Sequence, residues 1–99
     1  MRIFARRTLR EFYERPGRGD VKQPLLAWFR ITERANWTKP AEIKRQFRNA
    51  SFVGDNRVIF NIAGNKYRLV VHVNYAFRAV YICFVGTHEE YDAIDPETV

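Results

Sequence analysis

From Arg57 to Asp92 the chain reads as three consecutive antiparallel strands and a His- and Tyr-bearing tail, the first strand alternating with the period of a strand that buries one face. Over residues 57–62, Val58, Phe60 and Ile62 share a face. Gly64-Asn65 is a two-residue hairpin signal, because glycine adopts the positive φ that primed turns need. Pairing outward from that turn sets Ile62 opposite Tyr67, Phe60 opposite Leu69 and Val58 opposite Val71. The other face then pairs Asn61 with Arg68, Ile59 with Val70 and Arg57 with His72. A slip of one residue would turn the apolar set toward water, so pattern and turn agree on one register. A four-residue turn over 75–78 leads into a third strand over 79–87. There Val80, Ile82 and Phe84 are expected to face Val73, Val71 and Leu69, with Tyr81 and Val85 beside His72 and Arg68 on the opposite side.

Upstream the period changes to that of helices. Residues 1–5 predict a short edge strand with Ile3 inward. Thr8 and Glu11 fit a capping box, and Leu9, Phe12 and Tyr13 share a helical face. Pro16-Gly17 ends that helix, and Gly17-Arg18-Gly19 predicts a mobile basic loop. Asp20 is expected to cap a second helix with Pro24 in its tolerant first turn. Its apolar stripe is Leu25, Trp28, Phe29 and Ala35. Pro40 starts a shorter third helix anchored by Ile43 and Phe47. Gly54-Asp55-Asn56 is turn chemistry leading into the sheet. The expectation is α+β over residues 1–99 as one domain: an edge strand, two to three helices on one sheet face, and an antiparallel meander.

Composition narrows the class. The 99 residues are 46% hydrophobic and 15% aromatic, enough for one core and against general disorder. No long apolar run and no signal-peptide pattern occurs, so a soluble chain without membrane contact is expected. Cys83 is the single cysteine, which excludes an internal disulfide and, at mid-strand, predicts a buried small hydrophobe. Lys and Arg number 17 against 11 Asp and Glu, a net charge of +6. Arg dominates, and Arg is the better bidentate partner for phosphate. The surplus points to a polyanion such as nucleic acid or to an acidic protein, against a simple solubilising surface.

The candidate chemistry gathers at one end of the sheet. The third strand ends at Gly86-Thr87, which delivers His88 near Lys66 and Arg68, with Tyr91 close behind. Cleaving RNA through its own 2′-hydroxyl needs no metal, only proton transfer and cations for the charge building on phosphorus. Arg68 suits the latter, or else sits in a structural ion pair. The His88 imidazole can give or take a proton, or else caps the strand end. Lys66 adds phosphate attraction or is a solvated hairpin lysine. Tyr91 stacks on a base or folds onto the sheet. His72, at mid-strand, fits a packed sheet-face histidine better than a catalytic one. Arg57, Asn61, Lys44, Arg45 and Arg48 are candidate RNA contacts that would grip backbone rather than read bases. Two histidines and one cysteine make no zinc site, and no acidic cluster suits magnesium, so no metal or cofactor is expected. A non-catalytic RNA- or ribosome-binding module is the competing reading; a DNA-binding regulator is a third, without a recognition-helix pair to support it.

The segments FNIAGNKYRLVV (60–71) and FVGTHEEYD (84–92) resemble the HigB-type toxins of bacterial toxin–antitoxin pairs, a branch of the RelE-like messenger-RNA interferases. The likeness runs the length of the chain in element order, with the specific matches in its C-terminal part. It implies a small curved sheet with helices on one side. It also implies a cytoplasmic, ribosome-dependent endoribonuclease that cleaves messenger RNA by 2′-hydroxyl attack on the adjacent phosphate. The partners it implies are messenger RNA on the ribosome and a HigA-type helix-turn-helix antitoxin. By position, Arg68 matches the sheet arginine that holds the scissile phosphate, and His88 the residue after the last strand that acts as general acid. Tyr91 is the nearest match to a C-terminal tyrosine that stacks on or orients the nucleotide. The chain lacks the lysine pair that the best-known members carry on the strand before the hairpin, where it has Arg57 and Asn61. The acceptor of the 2′ proton therefore stays open.

Overall fold

Alternation and helical periodicity resolve into nine elements in the computed structural model, which describes residues 1–99. They are β1 (Arg2–Phe4), α1 (Arg6–Tyr13), α2 (Gly19–Arg34), α3 (Pro40–Gln46), β2 (Ser51–Val53), β3 (Arg57–Ile62), β4 (Tyr67–Asn74), β5 (Ala79–Thr87) and α4 (His88–Asp92). The strands form one open sheet in the order β1-β5-β4-β3-β2. β2 to β5 pair antiparallel, and β1 joins the edge of β5 in parallel, Ile3 beside Val80. The fold is the expected α+β, with β2 as a short strand that three residues of unpatterned sequence did not announce.

The β3–β4 register is the one that the alternation demands, from Ile62 opposite Tyr67 to Arg57 opposite His72. Its turn places Ala63 (φ 54°) and Gly64 (φ 68°) in the left-handed region, which glycine enters without steric cost. The inner face carries Val58, Phe60, Ile62, Tyr67, Leu69, Val71, Val73, Val80 and Ile82, packed against Leu9, Phe12, Val21, Leu25, Trp28, Trp37 and Ile43. Phe60 is the centre of this layer, its ring 5.0 Å from Phe47, 5.5 Å from Trp28 and 6.5 Å from Trp37. Helix α2 buries Val21, Leu25, Trp28 and Thr32, spaced as one stripe. Phe29 and Ala35 are half-buried at its flank.

Several local expectations are overturned. The first helix starts at Arg6, because the chain reverses out of β1 through Ala5 in the left-handed region (φ 69°). Thr8 is therefore no cap, and Glu11 accepts from Arg7 Nε at 2.6 Å instead. Asp20 lies inside α2, whose cap position is Arg18, and its carboxylate is drawn to the sheet. Pro24 falls beyond the first turn of that helix. In β5 the pairing shifts between Val70 and Val71, so Phe84 meets Val70 and Val85 meets Leu69. This bulge turns Phe84 to the outer face, leaves Val85 packed against the core, and sets Gly86 rather than Val85 opposite Arg68. Cys83 is the residue it skips, half-exposed rather than buried.

The outer face has no helical layer like α1–α3. Ile59 and Val70 are nevertheless buried there, outside the main core. The chain beyond α4 returns to that side, where Arg57 Nη2 donates to the Val99 carbonyl at 2.7 Å and the Gly54 amide donates to Glu97 Oε1 at 3.4 Å.

Candidate catalytic rim

The β3–β4 turn and the end of β5 meet at one rim because the β4–β5 ladder extends one bond past its last pair. Tyr67 pairs with Thr87, and the His88 amide then donates to the Lys66 carbonyl at 3.0 Å. Thr87 is the helix cap that local sequence encodes there. Its hydroxyl accepts from the Glu90 amide at 3.1 Å, and Glu90 Oε1 accepts from the Thr87 amide at 2.8 Å. The bond from the Thr87 amide holds the Glu90 carboxyl below the usual glutamate range. Helix α4 is thus launched at a set angle, with His88 as its first residue.

The His88 imidazole is half-exposed, and its Nδ1 lies 3.1 Å from Asp92 Oδ2, one turn further on. A carboxylate on Nδ1 orients the ring, and Nε2, which has no hydrogen-bond partner in the chain, is left to give or take a proton. Tyr91 stands three residues after His88 on the same short helix and is half-buried.

Arg68 projects from the outer face of β4, opposite Asn61 on one side and Gly86 on the other. Its Nη1 donates to the carbonyls of Asn65 (3.0 Å) and Tyr67 (3.2 Å). Of the four ion pairs in the chain, none includes Arg68, so its charge is not cancelled by a carboxylate. Gly86 is required beside it: a Cβ there would lie 2.5 Å from the Phe84 ring and 3.2 Å from Glu90 Cβ. The absent side chain lets the aromatic ring and α4 both close down next to the arginine.

An open hollow of about 510 Å³ lies where the hairpin meets the start of α4, lined wholly by polar residues: Arg18, Lys66, Thr87, His88, Glu89 and Glu90, with Arg68 outside its lining. Lys66 reaches it while pairing with Asp20 Oδ2 at 3.1 Å, and the Tyr67 hydroxyl donates to Asp20 Oδ1 at 2.6 Å. The Tyr67 bond first, and Lys66 second, hold the Asp20 carboxyl below its ordinary range. The same bond raises the Tyr67 phenol. Asp20 therefore ties the start of α2 to the base of the hairpin.

Lys66, Arg68, Asn61 and His88 are thus brought to one rim, with Tyr91 on its helix. Arg48 lines a shallow hollow with Asn61 and Phe60, close to the same edge. Arg57 is not brought there. It stands opposite His72, four residues from Arg68 along β4, with its guanidinium taken by Asp55 at 2.8 Å and by Val99. Lys44 is occupied too, donating to the Ala50 carbonyl at 2.7 Å to close the turn after α3, whereas Arg45 is exposed. Sequence reasoning missed Arg18 and Asp20 as members of the rim. Both come from the start of α2, and only long-range packing carries them there; a Gly-flanked arginine gives no local sign of it.

No three His, Cys, Asp or Glu side chains come together as a metal-binding group. No helix is long and apolar enough to cross a membrane. No curated protein matches the chain. One family model does, over residues 21–94, which include the whole β3–β5 meander, the hairpin rim and His88 with Tyr91. On that match the chain belongs to the HigB toxin family, the RelE-like toxic component of a toxin-antitoxin system.

Proposed function

We propose that this RelE-like toxin is a ribosome-dependent endoribonuclease that inhibits translation by cutting messenger RNA. The ribose 2′-oxygen attacks the adjacent phosphorus as its proton leaves, and the bond to the 5′-oxygen breaks. The products are a 2′,3′-cyclic phosphate and a 5′-hydroxyl end, with no metal in the step. Arg68 holds the scissile phosphate and offsets the charge building on its oxygens, a role its planar fork and permanent charge suit. His88 protonates the leaving oxygen through Nε2, with Asp92 orienting the ring. Tyr91 orients the nucleotide, and Lys66, Asn61, Arg45 and Arg48 draw in the RNA backbone. An antitoxin holds the toxin inactive until it is removed.

The observation that carries this reading is an arginine free of any carboxylate, standing one ladder pair from the strand end that launches His88. The test is messenger cleavage on translating ribosomes, mapped by primer extension. Arg68→Ala is expected to lower the cleavage rate by about 10²–10³-fold, the usual loss for one preorganised charge-stabilising donor. Its circular dichroism and melting temperature should match the parent. Cutting at the parental rate would remove Arg68 from the reaction. A parent that binds ribosomes yet never cuts would leave a non-catalytic binding module. Growth arrest by the chain alone, relieved by co-expressing the product of the neighbouring reading frame, is the expected cellular counterpart.

A further inference from the structure

The outer face of the sheet carries more than the rim. Across it runs a row set by pairing alone: Phe4 of β1 beside Tyr81 of β5, Tyr81 beside His72 of β4. Phe4 and Tyr81 stack at 5.0 Å with 14° between their planes, yet are 37% and 41% exposed. A contact made to bury the rings would leave them less open than this. The His72 ring lies 6.2 Å from that of Tyr81. Arg2 stands over the Phe4 ring at 5.3 Å and is in none of the ion pairs. The bulge that skips Cys83 turns Phe84 to this same face, so aromatic surface continues from Tyr81 toward Gly86 and Arg68.

We propose that Phe4 and Tyr81 form a stacking platform for unpaired bases of the RNA strand whose phosphate Arg68 holds. The proposal rests on the reading of the rim as an RNA site and extends it to the flanking nucleotides. His72, which pairs with Tyr81, and Arg68 are four residues apart on one strand face, about 13 Å, a distance that a short single-stranded segment passing over the covered Val70 can bridge. Exposed aromatic rings on a sheet, flanked by cations, suit a ligand that offers both π-faces and phosphates. The chemistry selects single strands, because paired bases present no free face. It is tolerant of sequence, since every base has a π-face, and so sets affinity and register rather than codon identity. A protein partner would find two rings bordered by Arg2 and His72 and no apolar pocket, since no hollow of the molecule is lined by Phe4 or Tyr81.

The test separates stacking from backbone attraction and needs no cleavage. Fluorescence anisotropy would follow a labelled oligoadenylate with 2′-O-methyl riboses, which cannot be cut, and an abasic strand of equal length. Tyr81→Val, which keeps strand propensity, is expected to weaken oligoadenylate binding roughly tenfold, and Phe4→Val with Tyr81→Val further still. Tyr81→Phe should retain parental affinity, and the abasic strand should bind all variants alike. Equal oligoadenylate binding by parent and double variant would overturn the platform. So would an equal loss on the abasic strand, or a change in apparent mass on gel filtration without a change in RNA affinity, which would assign the patch to a self-interface. If the parent does not cleave but binding follows the two rings, the nuclease reading fails while the platform stands. Parental cleavage with ring-independent binding does the reverse.

Discussion

The two faces of β3, β4 and β5 are made by alternate residues of the same strands, yet they differ in what constrains them. On the inner face Val58, Phe60, Ile62, Leu69, Val71, Val73, Val80 and Ile82 are all buried, and Phe60 alone touches three other aromatic rings. On the outer face Arg57, Asn61, Arg68, His72 and Tyr81 interrupt the apolar residues, and two of the buried ones, Ile59 and Val70, lie outside the main core. Water exclusion dictates the first set, where a polar group needs a partner of its own, as the Tyr67 hydroxyl has in Asp20. The second keeps an arginine with no carboxylate beside it, which contributes little to folding and a great deal to the recognition of phosphate. One period of two therefore divides the sheet into a face that holds the protein together and a face that works.

Substitutions at matched positions should break this division if it is wrong. The largest expected effect is on the inner face. Phe60→Ala removes the ring at the centre of the aromatic layer and should cost about 3–5 kcal/mol in urea unfolding, enough to threaten the fold of a small domain. A loss below about 1 kcal/mol would show that the layer collapses freely around the gap. On the rim, His88→Gln keeps a hydrogen-bonding side chain but removes the imidazole that would pass the proton. Cleavage should fall about 10²-fold with ribosome affinity and stability unchanged, while a matching loss of affinity would make His88 a binding residue only. Arg68→Ala, assayed in the same way, should likewise spare stability, in contrast to Phe60→Ala.

The smallest expected effect lies where the two faces are joined. Asp20→Asn removes the carboxylate that Tyr67 and Lys66 share. Because the folded carboxyl titrates below its ordinary range, the link contributes stability above the unfolded pKa and loses it as pH falls through the folded value. The parent should therefore lose melting temperature on acidification below about pH 4, and Asp20→Asn should show a weaker decline there with a slightly lower plateau at neutral pH. Superimposable acid limbs for the two proteins would dismiss the link as a stabilising contact.

Much of the fold was legible beforehand, and unevenly so. The β3–β4 register was readable residue by residue because two local signals, the turn at Gly64 and strict alternation, point to the same pairing. The rim was legible in part: Lys66, Arg68 and His88 follow from that register and from strand length. The β5 register beyond Ile82 was not, because a bulge costs one residue anywhere along a strand and leaves no mark in the pattern. Thr8 and Asp20 were misread for a shared reason. A cap is chosen by where the preceding chain lets the helix begin, and Ala5 and Arg18 were set by the entry from β1 and from the Gly17 turn.

By itself the sequence determined the split of the sheet into a buried and a chemical face, the hairpin pairing and the cationic surplus. Each depends on neighbours within a few residues or on composition. Only the tertiary structure decided that β1 lies parallel to β5, that Phe84 turns outward beside Gly86, that Asp20 and Arg18 join the hairpin base, and that Arg57 is held by Asp55 and Val99 away from the rim. These arrangements bring together residues far apart in the chain, or shift a register without altering the pattern, so no local preference encodes them. They follow from the packing of a helical layer onto a twisted sheet, where the partner of each side chain is whatever the closed core leaves within reach.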